Sequence, residues 1–392
     1  MKITMDNNLG KLMTFELSKD KPTHGWFWYK EGFAPEIVEY AINYGNKIHT
    51  HKCDSKLPEI ILDPFCGVGT TLLTAKQKNI LSIGVDASQL AVFISKTKTD
   101  DYAEEDIGAV EIFVTNKLRS LKNTNLQKWQ FELFDPRAVF PKRNYNQILA
   151  IREAIEQEEP RTRNLLLLAL LSVLPQASIM LKDGGVLKIK KDKLAIPAKD
   201  VFKRKVKRMV RELRERDYSG YTPEVFIGDA RALETPTESI DLIVTSPPYL
   251  NNIDYSKVYG IELSLLHMSK AEAEEVRMRA IRSFIGKDMK VNEMPEEVGE
   301  LGNQIPIVGS YFKDMEQAIM EMFRVLSSGS CAHVIVSNSI IHNTHVIVDE
   351  IFAEMAERIG FSDVEIIVGA ERVADVRPQK VKTRESIVVM RK

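Results

Sequence analysis

Apolar residues along this chain fall into two patterns. Short runs, Glu59–Asp63, Leu81–Asp86, Val225–Ile227, Asp241–Val244 and Ser330–Val336, are too brief for helices and predict buried strands. Longer stretches with helical spacing start near Thr70 and cover Val258–Met268, Tyr311–Leu326 and Val346–Ile359. Val364–Val368 and Ser386–Met390 close the chain as an expected hairpin. Strand and helix alternate from 59 to 99 and again from 224, which predicts an α/β fold with a doubly wound sheet, mixed because of that hairpin. Its ligand belongs at the carboxyl ends of the strands. Residues 100–220 break the alternation with helical patterns at Tyr145–Glu158, Arg161–Leu181 and Asp200–Arg216. The chain therefore divides into 1–99, a largely helical insertion at 100–220, and 221–392.

Composition narrows the class. With 392 residues and 44% apolar content the chain can bury one large domain plus an insertion. A net charge of −1 confines any nucleic-acid footprint to a local patch. Cys53, Cys66 and Cys331 form no CxxC pair, and the seven histidines show no ligand spacing, so no disulfide framework and no metal are expected. Residues 1–20 lack the apolar core of a signal peptide, and Leu165–Leu174 is too short to span a membrane. A cytoplasmic protein with no membrane partner is expected.

Two turns carry candidate chemistry. After the first strand comes Pro64-Phe65-Cys66-Gly67-Val68-Gly69-Thr70-Thr71, and after the second stands Asp86. Strand, glycine turn and helix open a nucleotide-binding unit, in which an acid ending the second strand accepts from both ribose hydroxyls. The third glycine of a dinucleotide turn is missing, as is the Gly-Lys-Ser/Thr of a phosphate loop, so an adenosine ligand without phosphate fits better. The other turn, Thr245-Ser246-Pro247-Pro248-Tyr249, ends an apolar strand. Its prolines fix the backbone and leave carbonyl acceptors, Ser246 adds a hydroxyl, and Tyr249 offers a stacking face. Such a set grips a flat ring bearing an exocyclic amine.

Asp63–Thr70 together with Thr245–Tyr249 resembles the S-adenosylmethionine-dependent amino-group DNA methyltransferases, and Ser-Pro-Pro-Tyr resembles their cytosine-N4 branch. The adenine-N6 branch usually carries Asp or Asn at the position of Ser246. The resemblance covers most of 24–99 and 224–392, and it implies a Rossmann-like sheet of the class I methyltransferase type. His24–Phe33 is similar to the segment that closes over the methionine end of the cofactor, with Tyr29 in an aromatic group beside Trp26 and Trp28. Gly228-Asp229-Ala230-Arg231 resembles the turn whose acid meets the adenine. Carried over residue by residue, the cofactor contacts are Tyr29, Asp63, Pro64, Phe65, Gly67, Gly69, Thr70, Thr71, Asp86, Ala87, Asp229, Ala230 and Ser246. Asp63 either orients the glycine turn or meets the methionine amino group. The catalytic set is Ser246, Pro247, Pro248 and Tyr249. One feature departs from the family's orders: the long insertion precedes Gly228-Asp229, which leaves the recognition region unassigned.

Double-stranded DNA is the partner this implies, with a cognate restriction endonuclease as a second one. Lys182 to Arg216 holds fourteen Lys or Arg against five Asp or Glu, an electrostatic footprint for phosphates at Lys203, Arg204, Lys207, Arg208 and Arg211. Asn251, Asn252, Asp254 and Tyr255 either touch the extruded nucleotide or cap the following helix. The segment His267–Ile305 either lines the DNA cleft or forms a loop apart from it, while Phe131, Phe134, Phe140 and Tyr145 read as core of the insertion. The target base must leave the stack, a cost of about a few kcal/mol. Carbon-5 chemistry is excluded, because the catalytic turn holds no cysteine nucleophile. No general base is called for at this level. Adenine-N6 methylation remains open, followed by RNA or protein methylation and a DNA-binding module without catalysis.

Overall fold

A computed structural model describes residues 1–48, 57–121, 128–131, 133–183, 186–251, 253–267, 279–284, 293–376 and 379–392. Cys53, Asn252 and much of the segment His267–Ile305 lie outside the described residues. Twelve strands are described: β1 (Lys2–Met5), β2 (Ile60–Asp63), β3 (Leu81–Asp86), β4 (Met180–Asp183), β5 (Val186–Ile189), β6 (Glu224–Ile227), β7 (Ile240–Thr245), β8 (Leu326–Ser337), β9 (Ser339–Ile341), β10 (Thr344–Val346), β11 (Asp363–Val376) and β12 (Gln379–Arg391). Eight form one sheet in the order β1-β11-β12-β8-β7-β2-β3-β6. The run from β8 to β6 is parallel, whereas β12 is antiparallel to both β8 and β11. This is the expected Rossmann-like, doubly wound mixed sheet, closed by the hairpin.

The order reverses between β2 and β7, so their carboxyl ends open a crevice, the place where such sheets take ligands. Asp241 fixes that pair at its other end, its Oδ2 accepting from the amides of Glu59 and Ile60 at 2.8 and 3.0 Å. Both strands are buried on two faces, which explains their continuous apolar runs.

Between β3 and β6 the insertion packs helices Glu104–Ile112, Lys142–Ile155, Pro160–Ala177 and Ala198–Arg214. The apolar run at Leu165–Leu174 is the buried centre of the third. That helix stops at Ala177 rather than Leu181, two residues past the internal Pro175, because Met180–Asp183 instead pairs with β5 as a short hairpin. Trp129 lies 5.2 Å from Phe140 and stacks on Tyr145, and Phe131 meets Phe134 edge-on. One apolar cluster joins these residues to Trp26, Val68 and Ile94 of the cofactor half. No described helix is long and apolar enough to cross a membrane.

Candidate active site

The glycine turn takes its shape from two positive-φ positions, Gly67 (48°) and Gly69 (78°). At Gly69 a Cβ would stand 2.3 Å from Ser95 Oγ, so only glycine lets the turn settle against the helix Gln89–Thr99. Asp86, ending β3, accepts from the Gly67 amide at 2.9 Å and the Ser88 amide at 2.8 Å. Beneath the turn, buried Lys98 donates to the Val68 carbonyl at 2.9 Å, and burial pulls its amine down to about 7. Nothing in the local pattern around Lys98 signals this role.

Asp63 ends β2 fully enclosed. Its Oδ1 accepts from Thr245 Oγ1 at 2.6 Å and from the Phe65 amide at 3.2 Å. Burial nevertheless pushes the carboxyl up to about 7. The Thr245 contact ties the cofactor turn to the catalytic turn, since Ser246 follows directly. Ser246 Oγ donates to the Ile335 carbonyl at 3.3 Å. Tyr249 Oη in turn donates to Glu385 Oε1 of β12 at 3.4 Å.

Both turns line a single cleft of about 370 Å³. Its wall holds Tyr29, Asp63, Pro64, Phe65, Gly67, Thr70, Asp86 and Ala87 from the cofactor half, with Ala230, Ser246, Pro247, Pro248, Tyr249 and Tyr255 from the catalytic half. Three expected contacts are placed elsewhere. Thr71 is fully buried and donates to the Val244 carbonyl at 3.1 Å. Gly69 serves helix packing. Asp229 turns away to grip Arg231 through both carboxylate oxygens, at 2.9 and 2.7 Å, while its neighbours Gly228 and Ala230 face the cleft. Of the aromatic group near the N-terminus only Tyr29 reaches the wall: Trp26 is buried on Glu212 and Trp28 is exposed. Cys66 lines the cleft as a buried thiol whose pKa burial raises.

Several lining residues are not among the expected contacts: Glu31, Ser283, Arg372 and Glu385. Ser283, with Arg279 to Ile281 and Phe284, brings the described part of the second insertion onto the wall. Its hydroxyl is buried and has no partner among the described residues. Tyr29 stacks on Tyr259 at 4.7 Å, and Tyr259 donates to Glu31 at 2.6 Å. Tyr255 accepts from Asn251 at 3.3 Å and begins the helix Tyr255–Val258, with Asp254 at its N-cap making no side-chain cap bond.

The basic residues sit apart from this cleft. Lys203, Arg204, Lys207, Arg208 and Arg211 lie on the helix Ala198–Arg214, none of them on the cleft wall. Arg208 is held by Glu212 at 2.6 Å, and Glu212 also accepts from the Thr23 amide and Trp26 Nε1. Among the described residues no cluster of His, Cys, Asp and Glu could hold a metal.

The wall fits S-adenosylmethionine. Two acids flank a glycine turn that lacks the features of a phosphate loop, a Cβ added at Gly67 would stand 3.5 Å from the Tyr29 ring, and the buried Ser283 hydroxyl has no partner among the described residues. As acids on the wall, Asp86 and Asp63 offer acceptors for hydroxyl or ammonium donors.

No family model matches the chain. It is similar to the Type II methyltransferase M.BsoBI of Geobacillus stearothermophilus, 23% identical over an alignment spanning 97% of this chain and 88% of that protein. The Type II methyltransferase M.AvaI of Nostoc sp. (strain PCC 7120) is 26% identical, over 91% of this chain and 83% of its own length. A shorter stretch, 29% of this chain, is 30% identical to the Type II methyltransferase M.MjaII of Methanocaldococcus jannaschii.

Proposed function

We propose that this protein is a site-specific DNA methyltransferase that methylates the exocyclic N4 of cytosine in duplex DNA, within a restriction-modification system that includes a cognate endonuclease. One observation carries the reading: a glycine turn flanked by Asp63 and Asp86 and an amine-gripping turn, Ser246 to Tyr249, share a single cleft. Near full-length similarity to Type II methyltransferases supports it.

S-adenosylmethionine, when bound, supplies an electrophilic methyl group. Everything else falls to the chain. Tyr249 offers its ring face to the extruded base. The Pro247 carbonyl and Ser246 Oγ accept the two amine hydrogens, which draws the nitrogen lone pair out of conjugation with the ring. Pro247 and Pro248 fix the carbonyl's direction. A base and a methyl donor held side by side react without a covalent intermediate, and positioning supplies much of the rate. The exposed cations of the helix Ala198–Arg214 hold the duplex through its phosphates. Ser rather than Asp or Asn at position 246 favours cytosine over adenine.

Digesting methylated DNA to nucleosides and weighing them decides the base: N4-methylcytosine is expected, and N6-methyladenine would overturn the cytosine reading. Ser246→Ala is expected to abolish methyl transfer while cofactor binding, measured by calorimetry, stays at the parent level. Transfer at the parent rate would remove Ser246 from the mechanism.

A further inference from the structure

The described part of the second insertion, residues 279–284, is fastened to the turn that follows β6. Arg282 grips Asp314 of the helix Pro306–Val325, its backbone amide donating at 2.9 Å and its Nη2 at 2.7 Å. Arg231 reaches the same carboxylate at 3.1 Å and donates to the Arg279 carbonyl at 3.4 Å. Ile281 joins the apolar cluster that holds Ala230 and Leu233. These ties set residues 279–284 beside Gly228 and Ala230, and both stretches contribute to the cleft wall. Little in this corner is left to bond a ligand. Ala230, Ala280 and Ile281 carry no polar side chain, Asp229 and Arg231 hold each other, and Arg279 is engaged as well. Ser283 differs. It is 1% exposed, and its hydroxyl, which can donate and accept, has no partner among the described residues. An unpaired buried hydroxyl destabilises the empty protein, and a ligand that pairs it removes that cost.

We propose that Ser283 seats the adenine of S-adenosylmethionine, its Oγ accepting from the 6-amino group. This rests on the methyltransferase reading above and names the residue that recognises the cofactor's base. The strand order supplies the direction. The sheet runs β7-β2-β3-β6, with the catalytic turn after β7 and Asp86 at the end of β3. The donor methyl must face the catalytic turn, and an acid ending the second strand of such a unit takes the ribose. The base therefore extends the other way, past β3 toward the edge strand β6, where Gly228, Ala230 and residues 279–284 form the wall. Ala230 and Ile281 give the ring apolar contact, and Ser283 gives its amine an acceptor. A purine without the amine leaves that hydroxyl buried and unpaired, which is how a site rejects an analogue that lacks one polar group. Residues 279–284 thus serve the cofactor, and Ser283 does from the second insertion what the captured Asp229 cannot.

The test pairs calorimetry with thermal melts. The ligands are S-adenosylhomocysteine, the demethylated cofactor, and its analogue whose purine lacks the 6-amino group. Ser283→Ala should bind S-adenosylhomocysteine roughly 3- to 10-fold more weakly than the parent, the worth of one neutral hydrogen bond. The amine-free analogue should bind parent and variant alike, because the group that Ser283 meets is already gone. Without ligand, Ser283→Ala should melt at or above the parent temperature, since it deletes a buried hydroxyl that nothing pairs. A serine needed only for the fold would give the opposite sign. Parent affinity for S-adenosylhomocysteine in Ser283→Ala overturns the assignment, as does an equal loss for both ligands with a lower ligand-free melting temperature. Either result leaves the methyltransferase reading standing. A parent protein that binds no S-adenosylhomocysteine overturns both.

Discussion

Asp63 stands at the end of β2 with hydroxyl and amide donors around it, yet burial outweighs them and sets its carboxyl at about 7. The folded protein therefore binds more protons than the unfolded chain between the ordinary carboxylate pKa and about 7, so this group's contribution to stability falls as pH rises through that window. An ammonium group seated beside it favours the ionised form. Cofactor affinity should thus weaken as pH drops from 7 to 5, by up to roughly tenfold per unit, and Asp63→Asn should flatten that dependence in calorimetry. A parent profile already flat would mean that Asp63 only orients the turn. Gly67, Asp86, Ser246 and Tyr249 are legible in the sequence because motif spacing reports which residues occupy a turn. Which side chains of a turn face the cavity is a different matter. Asp229 is captured by Arg231 two positions on, Thr71 by a carbonyl of β7, and Glu385 joins the site from a strand 136 positions past Tyr249.

The helix Ala198–Arg214 has two distinct faces. Val201, Phe202, Val206, Met209, Val210 and Leu213 are buried, and Arg204, Lys207 and Arg211 are exposed. Arg208 belongs to neither set, because Glu212 and the Lys19 carbonyl hold it. Replacing Lys203, Arg204, Lys207 and Arg211 together should weaken duplex binding uniformly across sequences. The salt dependence should flatten by about one for each phosphate that is no longer neutralised, and unchanged slopes would move the DNA footprint elsewhere. Arg208→Ala should act on stability instead, costing roughly 1–3 kcal/mol in denaturant unfolding, since Glu212 is left buried with fewer donors. Elements such as this helix and β3 are readable because each repeats one period over enough residues. The helix after the catalytic turn reads as continuous in the sequence, but it breaks at Tyr259 into Tyr255–Val258 and Gly260–His267. Strands β1, β4, β5, β9 and β10 leave no trace in the pattern for a plain reason. Three or four residues carry no period, none of these strands has the run of three apolar residues that marks β2 and β6, and β1 is held by β11 from the far end of the chain.

At the level of the whole molecule, alternation predicts the doubly wound sheet and places the ligand at the carboxyl ends of its strands, but local pattern says nothing of how distant apolar faces meet. By pattern alone the insertion stands as a unit of its own. In the structure its buried helix Pro160–Ala177 shares one apolar cluster with Trp26, Val68 and Ile94, and the helix Gly260–His267 docks on it through Trp129 Nε1 to Ser264 at 2.9 Å and Arg152 to the Leu265 and Leu266 carbonyls. Both turns of the active site are thereby braced against the insertion. Leu168, fully buried in that cluster, tests the consequence. Leu168→Ala should cost about 2–5 kcal/mol through reduced burial and the cavity left behind. The loss should appear as one cooperative transition, with helix content by circular dichroism and cofactor binding by calorimetry disappearing over the same temperature range. A mutant that loses helix content in a first step and binds cofactor until a second would show that the insertion folds apart from the sheet, and the bracing of the catalytic turn would then have to come from the sheet alone.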